Sequence, residues 1–148
     1  MITNKKERFF REFFRYWSGK FNLKETIKIR ITKENLIAAA DDKSEYLYYN
    51  QKEINKLSYA LLVDMIFHEI GHLVNNLSYD TRGEKISAEY AAENFAISNI
   101  EEHYPKYLEK VLESLYNEIK DTSENDIYRE AYMKIPIVNK YFKTKGIN

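Results

Sequence analysis

The pattern of this sequence predicts an α+β fold: a small, mostly antiparallel sheet packed on a central helix, followed by a helical C-terminal half. Three observations carry that expectation. Ile27, Ile29 and Ile31 alternate with Lys28 and Arg30, the period of a half-buried strand, and β-prone stretches continue to Tyr49. From about Leu57 the pattern switches to a run that is apolar nearly all the way round a helix. Beyond it, helical periods alternate with turn residues and strand alternation does not return.

Taken in order, residues 4–17 place Phe9, Phe10, Phe13, Phe14 and Trp17 at helical spacing. This predicts an amphipathic helix with its aromatic face on the core; a partner-binding or membrane-surface face is the other reading of the stripe. After the Ile27–Ile31 strand, Leu36 to Ala40 is a candidate second strand, and Asp41-Asp42-Lys43-Ser44 reads as a turn. Tyr46 to Tyr49 is aromatic and reads as a third strand. The buried helix runs from about Leu57 to Asn76, and Asp80-Thr81-Arg82-Gly83 reads as a turn. Further helices are expected over about Ser87 to Glu102, Pro105 to Lys120 and Ser123 to Met133, with Pro136 breaking the last.

A chain of 148 residues, 44% of them hydrophobic, suits one domain with one core, here residues 1–148. Its 23 basic and 23 acidic residues balance, so nothing points to a nucleic-acid-binding surface. Charges through Met1 to Phe14 argue against a signal peptide, and no stretch reaches the roughly 20 apolar residues of a membrane span. With no cysteine, a transition metal has to be held by histidine nitrogen and carboxylate oxygen. The lack of cysteine also suits a reducing compartment, and a cytoplasmic location is the expectation.

His68-Glu69-Ile70-Gly71-His72 carries the chemistry. On a helix, two histidines four residues apart project from one face about a turn apart, where one ion accepts both imidazoles. Glu69, next along the helix, is set to reach a water activated at that ion without being a ligand itself. Two further features separate this motif from a chance HExxH. It lies in the most apolar helix of the chain, where unpartnered polar groups are costly. Gly71, one of only four glycines, sits mid-helix, where glycine costs about 1 kcal/mol relative to alanine and so marks a close approach.

The third ligand has two candidate sources. A metzincin needs a glycine three residues after His72 and a histidine three beyond that, but Asn75 and Ser78 stand there. The one remaining histidine, His103, lies in a charged stretch before Pro105. In Glu89-Tyr90-Ala91-Ala92-Glu93-Asn94-Phe95-Ala96, by contrast, two acids sit one turn apart among small residues. Ala88, Ala91, Ala92 and Ala96 let that helix come close to the HExxH helix.

HEIGH followed by EYAAENFA resembles the gluzincin zinc peptidases, over about residues 46–96. The pattern is similar to that of soluble ImmA/IrrE-type peptidases and minigluzincins, and to the catalytic domains of HtpX and CAAX-prenyl proteases. The resemblance implies a zincin-like fold and a Zn2+ site of His68, His72 and Glu89. It also implies that Glu93 holds a ligating histidine from behind, although many relatives have aspartate there. Tyr46 to Asn50 becomes the edge strand on which a peptide substrate adds as another strand. An oxyanion stabiliser is expected further along, with Tyr128, Tyr132, Arg129 and His103 as candidates. The expected activity is peptide-bond hydrolysis with Glu69 as general base. The alternatives are a non-catalytic, metal-stabilised regulatory protein and a latent peptidase blocked by its own N- or C-terminal segment, from about Pro136.

Overall fold

The computed structural model describes residues 4–23, 27–40 and 46–147. The turn expected at Asp41 to Ser44 lies outside them. Helix α1 is Lys5–Lys20, started by Asn4, whose side chain accepts the N–H groups of Lys6 and Glu7. Its aromatic stripe is core: Phe10 and Phe14 are fully buried, and Phe13 and Trp17 meet Phe67 edge-on at 5.4 and 5.2 Å. The buried carboxylate of Glu7 fastens α1 to the sheet. It accepts the Tyr49 hydroxyl at 2.6 Å and the side-chain amide of Gln51, while Arg11 donates to that hydroxyl at 2.9 Å. A buried acid is stable only with such partners.

Strands β1 (Lys28–Ile31), β2 (Ala38–Ala40) and β3 (Tyr46–Tyr49) form one sheet in the order β1-β3-β2. β1 runs parallel to β3 and β2 antiparallel to it, so the sheet is mixed rather than mostly antiparallel. β3 is therefore central, not the edge expected from the resemblance. Leu47 and Tyr49 of β3 are fully buried, and a strand this apolar is best used with neighbours on both sides. The alternation in β1 is only partly realised: Ile27 is buried, but Ile31 at the far end is 53% exposed.

A short helix absent from the sequence expectation, α2 (Gln51–Lys56), follows β3, capped by Asn50. Ser58 then caps α3 (Tyr59–Asn75), which carries the HExxH residues. Helix α4 spans Arg82–His103 and starts earlier than expected. Thr81, read as part of a turn, and Glu84 just beyond it form a reciprocal capping box that adds a turn of helix. A 3-10 turn at Pro105–Tyr107 leads into α5 (Leu108–Ile119). Asp126 starts α6 (Ile127–Tyr132), shorter than the Ser123–Met133 expectation. Pro136 begins α7 (Pro136–Thr144) rather than only ending a helix, because the first helical position needs no N–H. Among the described residues no helix is long and apolar enough to cross a membrane.

The packing of α3 on α4 places the polar residues. A Cβ on Gly71 would lie 2.9 Å from both the Cα and the carbonyl oxygen of Ala92, and 3.2 Å from the Cβ of Phe95. Ala88, Ala92 and Ala96 of α4 are buried. The two backbones therefore approach at a distance only glycine against alanine allows. Gly71→Ala should destabilise the protein by about 1–3 kcal/mol, because an added methyl in a packed core costs more than helix propensity returns. It should also weaken metal binding, since the helices carry His68, His72 and Glu89. Chemical denaturation checks the first effect; a more stable variant would contradict the packing argument.

Candidate metal centre

His68 and His72 project from α3 toward Glu89 on α4. Their Nε2 atoms are 3.1 Å apart. Glu89 Oε2 lies 3.1 Å from His68 Nε2, and Glu89 Oε1 lies 3.3 Å from His72 Nε2. These groups can hold a metal ion: one donor atom from each lies within 4.8 Å of the others. In a tetrahedral zinc site, bond lengths near 2.0–2.2 Å put donors about 3.3–3.6 Å apart. The observed separations agree within a few tenths of an ångström. Glu89 Oε2 is also buried without a hydrogen-bond partner, which a bound cation would remedy.

The surrounding groups orient the histidines. His68 Nδ1 lies 2.8 Å from Glu93 Oε1. A carboxylate only accepts, so Nδ1 carries the hydrogen and Nε2 faces Glu89. Asp64, one turn before His68 on α3, meets Glu93 from the other side, and burial followed by the Glu93 charge pushes its pKa well up. Asp64 Oδ1 and Glu93 Oε2 are both buried without a partner. A proton held on Asp64 and donated to Glu93 satisfies both. The Tyr79 hydroxyl donates to Glu89 Oε1 at 2.7 Å, and burial and that carboxylate raise its own pKa.

Burial disfavours the charged form of His68, but the carboxylates of Glu89 and Glu93 override it and hold its pKa well above the ordinary imidazole value. Burial would also raise Glu89, yet the imidazoles of His68 and His72 beside it hold it far below the usual carboxylate range. Glu69 is different. Burial raises its pKa despite the opposing histidines and the Ala40 N–H, which donates to Oε2 at 2.8 Å.

The site floors a cleft of about 690 Å³ lined by Ala38, Ala39 and Ala40 on one side and Leu77, Tyr79 and Tyr128 on the other. No family model, curated protein or solved structure matches this chain. Of the four candidate oxyanion stabilisers, only Tyr128 lines the cleft. Tyr132 is buried behind the site, where burial and Glu93 raise its pKa. The Arg129 guanidinium donates to the Thr122 carbonyl at 2.8 Å. His103 packs on Trp17, ring centroids 4.7 Å apart, at the end of α4. Asp64, Tyr79 and the Ala40 amide were not expected from sequence. Asp64 alone left a signal there, as the first acid in an otherwise apolar helix.

Glu89→Ala should abolish tight zinc binding. Glu93→Ala should weaken it about 10–100-fold, as loss of an orienting partner does, and His103→Ala should leave it unchanged. Equilibrium dialysis against zinc reads all three; a site emptied by His103→Ala but not by Glu89→Ala would contradict the assignment.

The charge states give a second test. Glu89, held low, stabilises the metal-free fold above the ordinary carboxylate pKa of 4.5 and loses that effect as pH falls through its own pKa. His68, held high, stabilises it below the ordinary imidazole value of 6.5 and loses that effect as pH rises through its raised pKa. Melting temperature of the metal-free chain should therefore fall on both sides of a neutral plateau. An ion requires neutral His68, so zinc binding near neutral pH should release protons. Calorimetry in buffers of different ionisation enthalpy measures this; no proton release would mean His68 is neutral beforehand.

Proposed function

We propose that this chain is a zinc-dependent peptidase of the gluzincin type, with His68, His72 and Glu89 as ligands and Glu69 as general base. The observation that carries the reading is the position of Glu69. Its carboxylate faces the cleft beside the His/His/Glu group without belonging to it, and burial raises its pKa, the direction that suits a proton acceptor and donor. A site needed only for stability has no use for that acid.

The chemistry a bound zinc supplies is Lewis-acid polarisation of a substrate carbonyl and acidification of a water. Glu69 takes the proton of the attacking water and returns it to the leaving amine. Its Oε2 is engaged by the Ala40 N–H, which leaves Oε1 for that transfer. Tyr128, beside Tyr79 at the cleft wall, is the hydroxyl best situated to donate to the developing oxyanion. Tyr79 is already committed to Glu89.

An extended peptide is the substrate form the cleft favours, and the open edge it meets is β2, Ala38–Ala40, rather than β3. Self-blocking by a chain end has no support among the described residues. Neither α1 nor α7 contributes a lining residue to the cleft, and Val138 and Phe142 anchor α7 in the core.

Glu69→Gln should fold, keep its zinc and lose hydrolysis by about 10²–10⁴-fold, because the amide accepts no proton at neutral pH. The comparison uses a library of internally quenched extended peptides, with zinc content measured in both proteins. Equal cleavage would rule out Glu69 as the base. No cleavage by wild type would favour a metal-stabilised regulatory role.

A further inference from the structure

The backbone of β2 is not uniform along its open edge. The pairing register sets Ala38 opposite Tyr49, Ala39 opposite Tyr48 and Ala40 opposite Leu47. Asn50 donates its N–H to the Ile37 carbonyl at 2.8 Å, which makes 37–50 a hydrogen-bonded pair. In an antiparallel ladder such pairs alternate. Residues 37 and 39 thus face β3, while the N–H and C=O groups of Ala38 and Ala40 point outward to the cleft. Of these two outward amides, Ala40's donates to Glu69 Oε2 at 2.8 Å. No protein group among the described residues meets the Ala38 N–H.

We propose that the Ala40 N–H positions the Glu69 carboxylate against the same open edge of β2 whose Ala38 N–H and C=O, on the peptidase reading above, meet the backbone of the bound peptide. The proposal rests on the peptidase reading above and deepens it.

The physical reason lies in the flexibility of glutamate. A Glu side chain has several rotatable bonds, and fixing it costs rotamer entropy. Glu69 stems from α3, whereas the strand that would hold the peptide belongs to the sheet. A single hydrogen bond from Ala40 ties the two, so the base is set against the strand that orients the scissile bond. A misplacement of about 1 Å at a reacting group costs roughly 10²-fold in rate. A backbone donor also cannot swing away, as a side-chain donor can. Ala40 is accordingly a positioning residue: it acts through Glu69 and not on the substrate.

Proline separates the roles of the two amides. It removes an N–H, and on an edge strand an outward N–H is lost without breaking the ladder. Ala40→Pro, in zinc-loaded protein, should lower kcat about 10–100-fold with KM within about two-fold. Ala38→Pro should do the reverse, raising KM several-fold with kcat within about two-fold. The substrates are the internally quenched peptides, and zinc content and melting temperature report folding. If Ala40→Pro fails to fold, replacing the 39–40 amide by an ester removes the same hydrogen. An unchanged kcat in whichever variant folds with its zinc overturns the proposal.

A readout independent of turnover completes the test. Amide hydrogen exchange, followed by NMR on zinc-loaded protein, should show Ala40 protected and Ala38 unprotected. In Glu69→Ala the Ala40 rate should rise about ten-fold or more, the equivalent of one lost hydrogen bond. Equal exchange at Ala40 with and without Glu69 overturns the positioning role. Absence of any cleavage by wild type overturns the peptidase reading and the Ala38 assignment with it, while the exchange measurement decides the Ala40–Glu69 link by itself.

Discussion

The close approach of α3 and α4 at Gly71 and Ala92 is the constraint on which the rest depends. The histidines ride on one helix and the third carboxylate on the other, so the separation of the two backbones sets whether three donors converge. A methyl group at position 71 would overlap the backbone of α4. The sequence accepts a mid-helix glycine, with its loss of helix propensity, to reach that separation. The aromatic stripe of α1 also packs on α3, one turn before Gly71, through Phe13, Trp17 and Phe67. The candidate site is held on packed helices rather than displayed on a loop.

Around this frame the charges are arranged in depth. Glu89 faces both histidines, Glu93 holds the far nitrogen of His68, and Asp64 meets Glu93 from behind. Three acids and two imidazoles in a largely apolar interior need compensation, and protons or a cation supply it. A proton on Asp64 would give the unpartnered oxygen of Glu93 a donor. On the cleft side, among the described residues, Glu69 accepts a hydrogen bond from the Ala40 amide alone and keeps an oxygen available. Two carboxylates within one helix turn of the same histidine, Asp64 and Glu69, thus serve different ends through different surroundings.

The legible parts of this structure are the local ones. Helical spacing of His68 and His72, the acids at 89 and 93 and the alanines around them foreshadow two facing helices, because period and side-chain size are properties of short segments. The aromatic face of α1 was legible for the same reason. The place of β3 in the sheet was not, since strand order depends on pairing between segments distant in sequence. Tyr46 to Tyr49 reads as a strand but carries no mark of being central. Thr81 and Glu84 held the spacing of a capping box and were masked by the turn-like residues beside them. Tyr128, the one of the four oxyanion candidates that lines the cleft, carries no mark in sequence that sets it apart from Tyr132, Arg129 and His103. Only the folded path of α6 and the C-terminal end of α4 separate the four. The Ala40 amide had no side-chain signature at all, and Tyr79 was one tyrosine among 13.

The convergence of His68, His72 and Glu89 on one ion is the central claim, and X-ray absorption at the zinc edge of the loaded protein tests it most directly. The account predicts a first shell of nitrogen and oxygen near 2.0–2.2 Å with the outer scattering of two imidazoles per zinc. An all-oxygen shell, or one imidazole per zinc, would contradict it.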